Sequence, residues 1–320
     1  MTKRLLVLAL VFAAAVPAGA GPALPLIEGP DVPAVGSPVA TIDVFTDERF
    51  ECTEQSRTRT VAVPGGWGRV VAEVTTTPDG DPWDRLFGIA IDGVEVIRGT
   101  TPRTTMTVTR DVTEYRDLLD DGTADVTLHL GSYVGALKGS VRLLFYAEQN
   151  VLGRAAASTV VPAFVYRRLE GRGQRQAATV SLPATTPRAA SVEVTMSGHG
   201  VEESSLPRAF QIVVDGVVVS EYRTMTYVYA LLGFGNANAN TACVGPGTSS
   251  FGDTVHPVMW WTAQRGLNAA GVHTGNGEIP PYRAEIDAEH LPLLAGARTI
   301  ELVQVEGGAT WLVSLSVLLH

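Results

Sequence analysis

Apolar residues in this chain recur at a period of two: Val61 and Val63, then Val70, Ala72 and Val74, and further on Val126, Leu128 and Leu130 alternate with polar neighbours. That period turns one face of an extended strand to a core and the other to water, and no long 3.6-residue apolar stripe competes with it. The 33 glycines and 19 prolines punctuate the pattern every eight to twelve residues or so, the spacing of a β-sandwich or jelly roll. The chain therefore reads as all-β.

The 320 residues exceed what one hydrophobic core usually serves. A repeat makes the count of two explicit. Ile89 to Val96 and Gln211 to Val218 each read as two short strands joined at an Asp-Gly turn, Asp92-Gly93 and Asp215-Gly216, where glycine tolerates the positive φ of a tight hairpin. Further on, Arg110-Asp111-Val112-Thr113 with Leu118-Leu119 is echoed by Glu285-Ile286-Asp287 with Leu293-Leu294. The offset between echoes grows from 123 positions at the turns (Asp92 to Asp215) to 175 at the leucine pairs (Leu118 to Leu293), so the second half carries an insertion.

The expected organisation is a signal peptide over 1–20, a linker over 21–39, an N-terminal β-sandwich over 40–150 and a C-terminal β-sandwich over 151–320, with its long loop insertion at about 219–282. The leader is read from Lys3 and Arg4, the apolar run Leu5 to Val16, and the small residues Ala18-Gly19-Ala20. A run this short falls below the roughly 20 residues of a spanning helix, so a secreted protein with no membrane span in its mature form is expected. The formal charge of −9 makes nucleic acid and anionic membranes poor partners. Charged residues at only 18% leave surfaces rich in Thr, Ser, Gly and Asn, which suit an uncharged polar ligand such as sugar.

Cys52 and Cys243 fall one in each half; a disulfide between them would clamp the halves together, and two unpaired thiols are the alternative. The six histidines stand at no usual ligand spacing, so neither a metal nor another cofactor is expected. There is no G-x-S-x-G elbow and no Walker-type phosphate loop.

Carboxylates and aromatics remain. Asp81-Pro82-Trp83-Asp84-Arg85 can present a charge beside a flat apolar face, an arrangement that suits sugar chemistry; in the plain structural alternative, Asp84 and Arg85 pair while Trp83 packs. In Ser197-Gly198-His199-Gly200-Val201-Glu202-Glu203 the glycines let backbone approach a ligand and the adjacent carboxylates can titrate differently; a solvated turn is the alternative.

At these residues the chain resembles the bacterial and plant peptide N-glycanases, their A branch most. The matching pieces are Trp83 to Ile89, Gly93 to Thr100, Val108 to Tyr115, Ser197 to Gly200 with Glu202-Glu203, Asp215-Gly216, His256 to Trp260, and Pro281-Tyr282 through Asp287, in the family's order. The resemblance implies two adjacent jelly-roll sandwiches, a site in the cleft between them, and metal-free hydrolysis of the β-aspartylglucosaminyl amide of N-glycosylated peptides or proteins. It implies Asp84 as principal catalytic residue, activating water, and Glu203 or Glu202 as the second carboxylate, orienting sugar or donating a proton. Arg85 or a backbone N–H would stabilise the oxyanion, His199 lies in the substrate-binding segment, and Trp83, Trp260 and Trp261 would stack on the sugars or simply pack.

Two departures stand out. The family carries a Glu two residues before the Asp of the Asp-Val/Ile-Thr segment, where this chain has Thr109 before Asp111, and Ser204-Ser205-Leu206 replaces an aromatic stretch. Three readings follow: an amidase, a glycan-binding module that has lost activity, and a glycoside hydrolase using Asp84 and Glu203.

Overall fold

A computed structural model describes residues 36–51, 55–79, 86–100, 105–131, 136–147, 156–199, 209–223, 255–257, 277–278, 281–306 and 310–320. The first half supplies β1 (Ala40–Phe50), β2 (Ser56–Ala62), β3 (Arg69–Asp79), β4 (Leu86–Ile91), β5 (Val94–Thr100), β6 (Met106–Asp111), β7 (Thr123–Leu130) and β8 (Ala136–Tyr146). The second supplies β9 (Thr159–Glu170), β10 (Arg175–Ser181), β11 (Ala190–His199), β12 (Ala209–Val214), β13 (Val217–Arg223), β14 (Val255–Pro257), β15 (Gly277–Glu278), β16 (Tyr282–Glu285), β17 (Ala297–Gln304) and β18 (Thr310–Leu319).

The sheets run β1-β8-β3-β6 and β5-β4-β7-β2 in the first half, and β9-β18-β11-β16 and β10-β17-β12-β13 in the second, every pairing antiparallel. Counted within each half, leaving out β14 and β15, both follow the order 1-8-3-6 and 2-7-4-5, the path of a long hairpin rolled on itself. The protein is two tandem antiparallel jelly-roll β-sandwiches.

Each roll has its own core, and the first also takes in Val160 of β9 and Leu318 of β18 from the second. Phe45, Phe50, Phe87, Phe145 and Tyr115 are fully enclosed in the first, and enclosing each such side chain contributes roughly 1.5–3 kcal/mol. In the second, Phe210 meets Trp311 edge to face, ring centres 5.3 Å apart.

The two Asp-Gly turns repeat one device. Asp92 and Gly93 have φ of 47° and 79°, Asp215 and Gly216 48° and 84°, the doubly positive pair of the hairpin turn whose twist matches its strands. Each Asp then ties its turn to the seventh strand of its roll: Asp92 Oδ1 accepts from the Asp125 N–H at 2.8 Å, and Asp215 Oδ1 from the Thr299 N–H at 2.9 Å. A short 3-10 helix follows the sixth strand in both rolls, Thr113–Leu118 and Leu291–Leu294.

Among the described residues, the chain between β13 and β16 contributes two strands outside this scheme. β14 pairs with the upper end of β11, and β15 crosses to pair with β5 of the other roll, Gly277 opposite Thr100 and Glu278 opposite Gly99. Among the described residues no helix is long and apolar enough to cross a membrane, which says nothing of β-barrels.

Candidate functional site

Strand β3 ends at Asp79 and β4 begins at Leu86, so Trp83, Asp84 and Arg85 belong to the connection 80–85. Strand β11 ends at His199 and β12 begins at Ala209, so Glu202 and Glu203 belong to the connection 200–208. Those residues, with Trp260, Trp261, Cys52, Cys243 and the leader, lie outside the described residues. His199 is described in its backbone only, paired with Val255 and Thr310.

The described strand ends set where these connections start. Leu86 pairs with Thr100, and its carbonyl accepts from the Gly131 N–H at 2.7 Å, so the roots of connections 80–85, 101–104 and 132–135 share one end of the first roll. His199 pairs with Thr310, and Thr310 with Glu170, so the roots of 200–208 and 307–309 share one end of the second. The two ends lie on the same side, because Arg98, two residues before Thr100, bonds Leu312, two residues after Thr310.

Two polar clusters join the rolls beneath those roots. In the upper one, Arg98 Nε and Nη2 donate to the Glu95 carboxylate at 2.8 and 2.5 Å, Nη1 to the Leu312 carbonyl at 2.6 Å, and Nη2 to Ser314 Oγ at 3.1 Å. Arg98 is wholly enclosed, so a planar, five-donor, permanently charged group is spread over one carboxylate and two oxygens of the other roll. Tyr166 of the second roll stacks on His129 of the first, centres 4.3 Å apart, and His129 Nδ1 shares a hydrogen with Ser56 Oγ at 2.7 Å. Burial, reinforced by the Arg98 charge, lowers the His129 pKa to about 3 and keeps the ring neutral. The Tyr166 hydroxyl is enclosed beside Glu95 without a well-formed hydrogen bond, and burial, then the Glu95 charge, pushes its pKa well up.

The lower cluster holds two arginines and two glutamates. Arg283 donates to Glu193 Oε1 and Glu114 Oε2, each at 2.8 Å; Arg110 lies 3.7 Å from Glu114 and donates to the Val96 carbonyl at 2.9 Å. Tyr115 caps Glu193 from the other roll, and burial, with Glu193 next, raises its pKa well above the ordinary value. Burial opposes the Arg283 charge, but Glu193 and Glu114 hold the guanidinium protonated more firmly than usual. Charges balance within this cluster, as buried ions require.

None of these joining residues was evident as functional from pattern alone. The usable signals were that Glu95, Arg98, Arg110, Glu114, Tyr115 and Arg283 all fall within the family-matching segments, and that Leu86–Ile91 carries no polar side chain on either face, as a strand shielded on both sides does. Thr109 stands on β6 opposite Glu73, whose carboxylate accepts from Arg142 at 2.8 Å. Asp287, Glu289 and His290 bring ligand atoms within 4.8 Å of one another near the far end of β16, away from connection 200–208.

Paired jelly rolls with polar residues locked between them and the roots of several connections at one shared end define a class of two-sandwich proteins, and the comparisons narrow it. The profile described as Peptide N-acetyl-beta-D-glucosaminyl asparaginase amidase A matches residues 54–221, more than half of the sequence, and the chain belongs to that family. Among solved structures, PNGF-II is 14% identical with a TM-score of 0.60, the match covering 88% of this chain and 65% of that one. PNGase F, a glycosylasparaginase from Flavobacterium meningosepticum, is 15% identical with a TM-score of 0.56, covering 88% and 95%. A peptide-N(4)-(N-acetyl-β-D-glucosaminyl) asparagine amidase is also 15% identical, with a TM-score of 0.55 and coverage of 88% and 96%. At these identities the likeness is one of fold, and this chain spans 65% of the PNGF-II chain. No curated protein matches it.

Proposed function

We propose that this chain hydrolyses the amide bond between the innermost GlcNAc of an N-glycan and asparagine, releasing the glycosylamine and leaving aspartate. The observation that carries this reading is the family match over 54–221, which spans both the 80–85 and the 200–208 connections. Water adds to the side-chain carbonyl carbon, the C–N bond breaks, and the departing nitrogen takes a proton. Asp84 would deprotonate the water, Glu203 or Glu202 would orient the sugar or supply the proton, and Arg85 or a backbone N–H would face the oxyanion. Trp83, Trp260 and Trp261 would stack on the sugars, with His199 beside them. The chemistry calls for no cofactor. The substrate is an N-glycosylated peptide or protein, met outside the cell if residues 1–20 act as a leader.

Thr109 favours a second reading, a glycan-binding module of the same fold, because it stands where the family resemblance leads one to expect a carboxylate. Mass spectrometry of an N-glycopeptide incubated with the protein, beside an Asp84→Asn variant, separates them. Release of the glycan with asparagine converted to aspartate, abolished in the variant, supports the amidase. Binding without cleavage supports the module. A peptide that keeps one GlcNAc points to a glycosidase and overturns both.

A further inference from the structure

The pairing of β9 with β18 is broken at two neighbouring places, between Val313 and Leu315 and between Leu315 and Ser316, and the first is the one that concerns the joint. Val313 pairs with Arg167 and Leu315 with Phe164, so Val165 and Tyr166 together face Ser314 in a β-bulge. Tyr166 sits there at φ 50°, in the left-handed region that a bulky side chain rarely adopts, and its N–H donates to Ser314 Oγ at 3.0 Å. Such a conformation persists only where the surroundings over-determine it, and it clusters at functional sites.

Here the surroundings are those of the other roll. The Tyr166 ring is absent from its own roll's core and instead crosses to β4, β5 and β7. It stacks on His129 and lies 5.6 Å from the Arg98 guanidinium. Gly88 makes the room: a Cβ there would stand 2.3 Å from the Tyr166 hydroxyl and 2.8 Å from Glu95 Oε1. Ser314 receives both the Tyr166 N–H and Arg98 Nη2, so one hydroxyl couples the bulge to the arginine that spans the rolls.

The position of this contact gives it a role. Gly88 is four residues from Asp84, and His129 is two residues before Gly131, which bonds Leu86 at the root of the same connection. On the other side, Ser314 pairs with Thr195 of β11, whose upper end leads into Glu202 and Glu203. A shift of the ring therefore moves one root relative to the other.

We propose that Tyr166 is a positioning residue for the amide hydrolysis, its ring acting as a spacer between the connection that carries Asp84 and the one that carries Glu202 and Glu203. The proposal rests on the amidase reading. The 118 positions of chain between Asp84 and Glu202 are too many to fix their separation, so the packing of the rolls must, and a displacement of about 1 Å can lower a rate on the order of 100-fold.

Tyr166→Gly and Tyr166→Phe in the full chain test it. Glycine takes the positive φ without strain, so the bulge and strand pairing survive while the ring is lost; phenylalanine keeps the ring. Three readouts are compared with wild type: secondary structure by circular dichroism, kcat and KM on an N-glycopeptide, and hydrogen exchange of peptides covering 86–100 and 310–320 against 175–181. The expected result is a folded Tyr166→Gly protein whose kcat falls on the order of 10–100-fold. KM should change much less, exchange should quicken in 86–100 and 310–320 but not in 175–181, and Tyr166→Phe should recover most of the loss. A folded Tyr166→Gly protein with wild-type kcat, or a fall in kcat with exchange unaltered, overturns the proposal. Absence of cleavage by wild type overturns the amidase reading, and with it the catalytic role. Quickened exchange in Tyr166→Gly would then still mark Tyr166 as the spacer, with glycopeptide affinity replacing kcat.

Discussion

The Tyr115 hydroxyl donates to Glu193 Oε2 at 2.5 Å, joining the 3-10 helix of the first roll to β11 of the second with both side chains sealed from water. Glu193 also receives Arg283 Nε, so the tyrosine is one of at least two donors on a buried carboxylate. Losing a donor to a charged group costs about 1.5–3 kcal/mol, whereas deleting the carboxylate leaves arginine charge uncompensated, at about 3–5 kcal/mol. Urea unfolding should rank Glu193→Ala well below Tyr115→Phe. In a double-mutant cycle of Tyr115→Phe with Glu193→Gln the two effects should fail to add, and strict additivity would mean that the hydrogen bond contributes nothing.

His129 makes the protein acid-sensitive. Its folded pKa, lowered to about 3 chiefly by burial, lies below the unfolded value of 6.5, so the unfolded chain binds the extra proton in between. The contribution is complete above pH 6.5 and is lost as pH falls toward 3, at about 1.4 kcal/mol per pH unit. Urea midpoints of wild type and His129→Gln, measured at pH 7 and pH 4.5, should differ in slope by about one proton. Equal slopes would show the ring accepts a proton in the folded state.

Gly88→Ala should destabilise through a steric clash rather than through backbone freedom, since its Cβ would meet the Tyr166 hydroxyl, the Glu95 carboxylate and, at 3.1 Å, the Ile97 carbonyl. Overpacking of this kind costs typically about 1–3 kcal/mol. Because part of the clash is with the hydroxyl, Tyr166→Phe should soften it, and thermal melts of the double variant should fall less than the two singles together.

The matched turn aspartates should respond to charge removal with opposite signs. Burial raises the Asp92 pKa above its ordinary value, so its ionised form weakens the fold at neutral pH and the penalty eases as pH falls. The Thr299 N–H lowers that of Asp215, with Arg298 assisting, so its ionised form supports the fold above the carboxylate range and that support is lost on acidification. Asparagine tolerates the same positive φ. At pH 7, Asp92→Asn should leave the melting temperature unchanged or raise it, while Asp215→Asn should lower it; the reverse order would refute the assignment.

Local features were legible before any coordinates. Alternation along β7 follows from the two-residue repeat of a strand, and the turns at Asp92 and Asp215 from the positive φ that Asp-Gly accepts. The joining surface was not legible. Glu95 and Arg98 read in the sequence as ordinary surface charges, and Arg98 reaches Ser314 across 216 positions of chain. Nor does Tyr166, followed by two arginines, show in its neighbours that its backbone is left-handed.

By itself the sequence determined that this protein is built of strands, that its topology occurs twice and that a family motif falls in two connections, because period, turn chemistry and motif are properties of neighbouring residues. Only the tertiary structure decided how the second roll lies against β4 and β5, which charges are enclosed there and that one tyrosine crosses between them. Those outcomes depend on burial, and burial is set by what distant segments cover once the chain has folded.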